Sequence, residues 1–308
     1  MSGELSPSAR RVPSDPSSPT VPVRALYDAL GRQVTYLRLS VTDRCDLRCT
    51  YCMPRQMTFF PRRSLLSFAE LDRIASAFIA GGVRKIRLTG GEPLVRKDLP
   101  ELLQRLSRHL ATGALDEITV STNGSQLSRL AGTLAAHGVR RANVSLDTLD
   151  PDQYRDISRG GNLASLLDGI EAARAAGLII RINAVALRGV IERQFEPLLN
   201  YAHARGMALA LIETMPLGDT GASRHEQFLS LGAFRAEIGK RFDLSPVAER
   251  SGGPADYVRV AETGGLLGFI TPFSCNFCAG CNRVRVSSNG RLFTCMGERR
   301  VRGSATSP

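Results

Sequence analysis

Tyr36-Leu-Arg-Leu-Ser-Val-Thr-Asp-Arg-Cys45-Asp-Leu-Arg-Cys49-Thr-Tyr51-Cys52 runs from a β-rich segment straight into three cysteines spaced C-x3-C-x2-C. From Thr35 onward, short β-rich runs are each followed by a helical pattern closed by glycine. The strand candidates are Tyr36–Val41, Lys85–Thr89, Glu117–Thr122, Arg141–Leu146, Leu178–Ala186 and Ala208–Glu213. The amphipathic stretches are Phe68–Ala80, Leu99–Leu110, Arg129–Ala136, Leu163–Ala176, Phe195–Arg205 and Leu231–Phe242. Six βα units in succession predict an α/β fold with a parallel sheet and helices outside, because parallel strands need crossover connections. The strands read as near-continuous apolar runs, as buried parallel strands do. A doubly wound sheet and a partial (β/α) barrel both satisfy this rhythm.

The flanks differ from this centre. Residues 1–24 are rich in Ser and Pro without apolar periodicity and read as a disordered tail. Residues 25–243 hold the βα rhythm, and 244–308 form a β-rich C-terminal region. Within it, Tyr257–Val260 and Leu266–Ile270 read as strands, and Asn289-Gly290 between Val284–Ser287 and Arg291–Thr294 is a hairpin signal. No apolar run approaches the ~20 residues of a membrane span, and no leader pattern is visible, so the expected location is the cytoplasm.

The 308 residues carry a formal charge of +11, from 40 Lys and Arg against 29 Asp and Glu. This excess suits an anionic partner. With no Trp and 6% aromatic residues, a nucleic-acid surface built on base stacking is poorly supported. Six of the seven cysteines fall into two tight groups, a pattern that in a reducing compartment points to metal or redox chemistry. Cys275 is left over. His109, His137, His203 and His225 lack ligand spacing and read as structural.

The first group follows the first strand, where active sites of such folds lie. Three close thiolates can hold three irons of a [4Fe–4S] cube and leave the fourth open. The alternative is a zinc site completed from elsewhere, although zinc sites more often come as C-x2-C pairs. At these residues the chain resembles the radical S-adenosylmethionine (SAM) superfamily, with Tyr51 as the aromatic residue before the last cysteine. Gly90-Gly91-Glu92-Pro93 resembles that superfamily's second motif. The resemblance implies that the open iron chelates SAM and that reductive cleavage yields a 5′-deoxyadenosyl radical.

The second group is Cys278-Ala-Gly-Cys281 followed by Cys295, for which spacing alone leaves a zinc ribbon open. Phe277-Cys278-x2-Cys281-Asn282-Arg283-x-Arg285 resembles the GTP 3′,8-cyclase family, molybdenum cofactor biosynthesis protein A. The likeness extends over about residues 25–298. It includes Lys85-Ile-Arg-Leu-Thr-Gly-Gly-Glu-Pro-Leu94, Ser121-Thr-Asn-Gly124, Asn143-Val-Ser-Leu-Asp147 and Ile212-Glu-Thr-Met215.

That resemblance implies a partial (β/α)6 TIM-type barrel whose small C-terminal β-rich extension carries a second [4Fe–4S] cluster. The implied reaction converts GTP to (8S)-3′,8-cyclo-7,8-dihydroguanosine 5′-triphosphate. In it, a carbon radical formed at the ribose 3′ position attacks guanine C8. Carried over residue by residue, it puts Cys45, Cys49 and Cys52 on the radical-generating cluster and Cys278, Cys281 and Cys295 on the second, which receives guanine. It puts SAM against Tyr51, Gly91, Ser145 and Met215, and GTP against Arg38, Arg87, Ser121, Arg181, Arg283 and Arg285. It further implies a flavodoxin- or ferredoxin-like electron donor, cyclic pyranopterin monophosphate synthase as the next enzyme, and leaves a homodimer open. No nucleic-acid or membrane partner is expected.

Arg181 stands where the family more often has Lys, and Ala210 where Arg is expected. Family members continue past the last cysteine to a Gly-Gly tail, whereas this sequence stops at Pro308. The expectation drawn from that is cluster binding with slow turnover. Other readings are a radical SAM enzyme with another substrate, a non-catalytic paralogue, and a zinc-stabilised nucleic-acid binder.

Overall fold

A computed structural model describes residues 25–28, 31–215, 224–247, 253–274 and 281–294. Strands β1 (Tyr36–Ser40), β2 (Lys85–Thr89), β3 (Glu117–Thr122), β4 (Val139–Ser145), β5 (Ile179–Ala186) and β6 (Ala208–Glu213) lie side by side in chain order. All are parallel. Between and after them run α1 (Phe68–Ala80), α2 (Leu99–Ala111), α3 (Leu127–Ala136), α4 (Pro151–Ser158), α5 (Leu163–Ala175), α6 (Ile191–His203), the short α7 (Arg224–Gln227) and α8 (Leu231–Ile238). A doubly wound sheet would reverse its strand order partway. An unbroken 1-to-6 order with right-handed crossovers keeps the helices on one side, so the architecture is the partial barrel.

The strands are not apolar on both faces, which corrects the sequence expectation. They alternate, because only their outer face meets helices. Leu37, Leu39, Ile86, Leu88, Ile118, Val120 and Ile182 are fully buried on that face. Their neighbours Arg38, Ser40, Arg87, Ser121, Ser145 and Asn183 are half-buried on the inner face. Alternation with a period of two residues therefore gives the barrel an apolar outside and a polar lumen, and a polar lumen is what a charged substrate needs.

Local signals set the helix ends. Ser67 caps α1 in a reciprocal capping box with Glu70, satisfying amide donors that the first turn leaves without partners. Helix α6 starts at Ile191, one turn before the expected Phe195, because Pro197 inside it obscures the periodicity of its first turns. Helix α4 was not anticipated: eight residues are too few for a clear period, although Asp150 accepting from Gln153 N and Pro151 at the first position are legible start signals.

The C-terminal strands join both edges of the same sheet. β7 (Leu244–Pro246), β8 (Asp256–Val260) and β9 (Leu266–Ile270) extend the β6 edge, with β9 parallel to β6. β10 (Arg283–Val286) crosses to the other edge and pairs parallel with β1, followed by the antiparallel β11 (Leu292–Phe293). The Asn289-Gly290 hairpin is present, with Gly290 at φ 83°. No helix among the described residues is long and apolar enough to cross a membrane.

Candidate functional site

The first cysteine loop leaves the top of β1 and is held on three sides. Gly91 N donates to Thr42 O at 3.0 Å and Glu92 N to Arg44 O at 2.7 Å. This approach is so close that a Cβ on Gly90 would lie 2.5 Å from Thr42 O, and one on Gly91 2.3 Å from Arg44 O. The two glycines therefore make room for the cysteine loop's own backbone. On a second side, Asp46 accepts from Asn123 Nδ2 (2.8 Å) and Ser125 Oγ (2.5 Å) at the tip of β3. The same Asn123 amide reaches to 3.7 Å from Cys45 Sγ. On the third, Arg48 N and Thr50 N donate to Ser158 O and Ile157 O at the end of α4.

Two buried carboxylates tie the strand tips together. Glu92 is 1% exposed; its Oε1 accepts from Leu94 N and Thr122 Oγ1, and its Oε2 from Asn123 N. Asp147 accepts from Tyr51 Oη at 2.8 Å and from Val185 N at 2.8 Å, joining the cysteine loop to β4 and β5. Burial pushes Glu92 up to about 7 and Asp147 up to about 6, against the opposing pull of these donors. Both folded values lie above the ordinary 4.5 and 3.8. Their contribution to stability is thus complete below those ordinary values and is lost as pH rises through the folded ones. Cluster-free protein is expected to lose stability between about pH 4 and pH 7 in urea titrations, with a shallower loss in Glu92→Gln. A Glu92→Gln profile parallel to the parent's would contradict this.

The thiols show what the loop requires. Burial raises Cys45 to about 11, helped by Glu92 and Asp46, and raises Cys49 further still. Without a cation these groups remain thiols; iron supplies the positive charge that makes them thiolates. Cys45, Cys49 and Cys52 lie near enough for their charges to raise one another's titration. A cube takes each of three such thiolates on a separate iron, and the donor set fits it.

Below the loop lies an arginine row. β1 pairs Arg38 with Arg87 on one side and Arg285 on the other, while Arg283 pairs with Tyr36. Register partners share a face, so all four guanidinium groups belong to the inner wall. Burial and then the charges of Arg285 and Arg87 lower Arg38 to about 9. Burial likewise lowers Arg87 and Arg285. Across the lumen, Arg181 is 7% exposed and donates from Nη1 to Tyr257 Oη at 2.6 Å. Its Nε is buried without a partner. Cations gathered on one wall, with Arg181 across the lumen, favour an anion between them.

The Cys45 loop and Cys281 meet opposite ends of β1. Asn282, next to half-buried Cys281, accepts from Thr35 N and Tyr36 N and donates from Nδ2 to Thr35 Oγ1. Cys281 therefore sits at the foot of β1, and the Cys45 loop at its head. A five-residue strand separates them by about 16 Å. Cys275, Cys278 and Cys295 lie outside the described residues. Glu213, buried at the end of β6, accepts from Phe273 N and Ser274 N and so anchors the turn that follows β9.

Of the other sequence candidates, Tyr51, Gly91, Ser145 and Met215 stand around the C-terminal ends of the strands, and Ser121 lies at the end of β3. Sequence reasoning passed over Asn123, Asp147 and Tyr257. The first two lay inside quoted motifs, where a polar residue just past a strand was the available signal. Tyr257 had none. His109, His137 and His203 are engaged with Ser76, Thr133 and Thr263; the side chain of His225 lies outside the description.

The model of the radical SAM superfamily matches residues 39–202, and that named Molybdenum Cofactor Synthesis C matches residues 207–302. A GTP 3′,8-cyclase from Rhodopseudomonas palustris (strain TIE-1) is 57% identical over 91% of this chain and 81% of its own length. One from Bradyrhizobium diazoefficiens is also 57% identical, over 89% and 79%. Among solved structures, Streptococcus suis SuiB bound to the precursor peptide SuiA is similar with a TM-score of 0.64 at 18% identity. That match covers 86% of this chain and 60% of SuiB, and speaks to fold alone.

Proposed function

The chain belongs to the GTP 3′,8-cyclase family of the radical SAM superfamily, and from that premise we propose how its residues divide the work. It is a radical SAM enzyme that cyclises GTP in molybdenum cofactor biosynthesis, using SAM, two [4Fe–4S] clusters and a reductant. When bound, the clusters and SAM supply one-electron cleavage and a hydrogen-abstracting carbon radical.

Cys45, Cys49 and Cys52 hold the radical-generating cluster. Tyr51, Gly91, Ser145 and Met215 surround SAM at the strand heads. Asp147 orients Tyr51, and Glu92 with Asn123 keeps the loop in register; these three are positioning residues. Cys278, Cys281 and Cys295 hold the second cluster, against which guanine rests. Arg38, Arg87, Ser121, Arg181, Arg283 and Arg285 bind GTP, the arginines matching phosphate oxygens with paired donors. Tyr257 aims Arg181.

The observation that carries this reading is the β1–β10 pair. Its arginines lie between the Cys45 loop and Cys281, and a nucleotide held by them has its ends directed at opposite strand ends. Proximity is then the protein's main contribution. The product passes to cyclic pyranopterin monophosphate synthase. A GTP supply and cysteines grouped as metal ligands both favour the cytoplasm.

The test is anaerobic reconstitution followed by addition of SAM, reductant and GTP. About eight irons, 5′-deoxyadenosine and cyclised nucleotide in equal amounts are expected. Zinc without iron, or iron without any cyclised nucleotide, would contradict it.

A further inference from the structure

Arg159 ends α4 in a left-handed backbone, with φ 55° and ψ 52°. Such a conformation strains any residue that carries a Cβ and is ordinarily left to glycine. Glycine stands at the next two positions, Gly160 and Gly161, yet the left-handed residue is an arginine. Strain kept at one residue points to a use for its side chain.

The end of α4 is built into the first cysteine loop. A helix leaves its last four carbonyls without partners of its own. Here Arg159 N and Gly160 N donate to Asp156 O and Arg155 O, closing two of them in the helix cap. Ile157 O and Ser158 O, the other two, accept from Thr50 N at 2.9 Å and Arg48 N at 3.1 Å. Those amides flank Cys49, so the helix end grips that cysteine from both sides. Cys52 stands further out: it is exposed, whereas Cys49 is half-buried. Cys52 N donates to Cys49 O, and Met53 N does the same. Past this turn the Arg159 side chain takes hold, its Nη1 donating to Met53 O at 3.0 Å. Ser158 Oγ accepts from Gly161 N and donates to Tyr154 O, which fixes the turn that carries the guanidinium.

We propose that Arg159 is a positioning residue that keeps the third thiolate, Cys52, on the radical-generating cluster. This rests on the assignment of Cys45, Cys49 and Cys52 to a cluster. Cys49 is located by backbone bonds to α4 that a side-chain change leaves in place. Cys52 depends on the chain that follows it, and Arg159 fastens that chain to the same helix end. Without the guanidinium the turn after Cys49 opens outward, and the exposed thiolate is the first to leave its iron. The strained backbone is tolerated because the side chain it carries closes the loop.

The experiment uses the reconstituted holoenzyme reduced with dithionite. Paramagnetic resonance with and without SAM separates the clusters, because SAM shifts the signal of the cluster whose iron it chelates. Decay of each signal under a ferrous chelator is timed, and Tm is measured on the cluster-free chain. In Arg159→Gly the SAM-sensitive signal is expected to decay roughly two- to ten-fold faster than in the parent. The other signal keeps its parental rate. Cluster-free Tm stays within about 2 °C of the parent, since relief of the left-handed turn offsets the lost bond. Arg159→Lys, which keeps a donor, is expected to decay at a rate between the two. Equal decay in Arg159→Gly and parent overturns the proposal, as does faster decay of both signals together with a fallen Tm. A parent with no SAM-sensitive signal overturns the cluster assignment, and the proposal with it.

Discussion

Gly91→Ala is expected to empty the first cysteine group of iron while leaving a folded chain. The added methyl would lie 2.3 Å from Arg44 O and 2.6 Å from Asp43 O, and backbone oxygens cannot swing aside as a side-chain tip can. Overpacking costs about 1–3 kcal/mol. Losing the Gly91 N and Glu92 N bonds to the loop adds about 1 kcal/mol for each. The total, about 3–5 kcal/mol, corresponds to a fall in Tm on the order of 10 °C for a chain of this size. The loop can escape most of that strain by lifting off β2, and lifting moves Cys45 away from Cys49 and Cys52. Iron content should therefore fall by about half, to the share of the second group. Gly132→Ala is the control. Gly132 has nothing within 4 Å and lies inside α3, where alanine is favoured by about 1 kcal/mol. Full iron loading in Gly91→Ala would show that the loop does not need this close approach.

Arg285→Met is expected to have opposite effects on the free and the liganded protein. Arg285 faces Arg38 across the β1–β10 register, and its Nε is buried without a partner. Removing it relieves like-charge repulsion of about 0.2–1 kcal/mol and a desolvated charge, so the ligand-free protein should gain about 2 °C in Tm. Against GTP the same change removes a charge-assisted contact of about 1.5–3 kcal/mol, a 10- to 100-fold loss of affinity. SAM cleavage without product formation should persist, because the first cysteine group is untouched. Unchanged GTP affinity would remove Arg285 from the substrate wall.

These two expectations differ in how far the sequence carried them. Gly91 stood in a recognised motif, from which it was placed against SAM; the close approach of its backbone to the cysteine loop was not legible. The arginines at 283 and 285 alternate, so a shared face was legible. That the face is the one holding Arg38 and Arg87 was not, because β10 meets β1 across 247 residues and no local pattern reports such a register. The β-rich C-terminal extension was legible, but for the same reason the joining of its strands to both edges of one sheet was not. Element positions were legible wherever a capping residue or a glycine closed the period, as at Ser67 and Gly81. The apolar reading of the strands failed for a physical reason: a barrel lumen that binds a polyanion must be lined with cations.

The most direct measurement is on Cys281→Ala, reconstituted and given SAM, reductant and GTP labelled with deuterium at the ribose 3′ carbon. If the two groups divide radical generation from substrate presentation, this variant loses about four irons. It still forms 5′-deoxyadenosine, without deuterium from GTP and without cyclised nucleotide. Cyclised nucleotide from this variant, or loss of SAM cleavage along with it, would contradict the division.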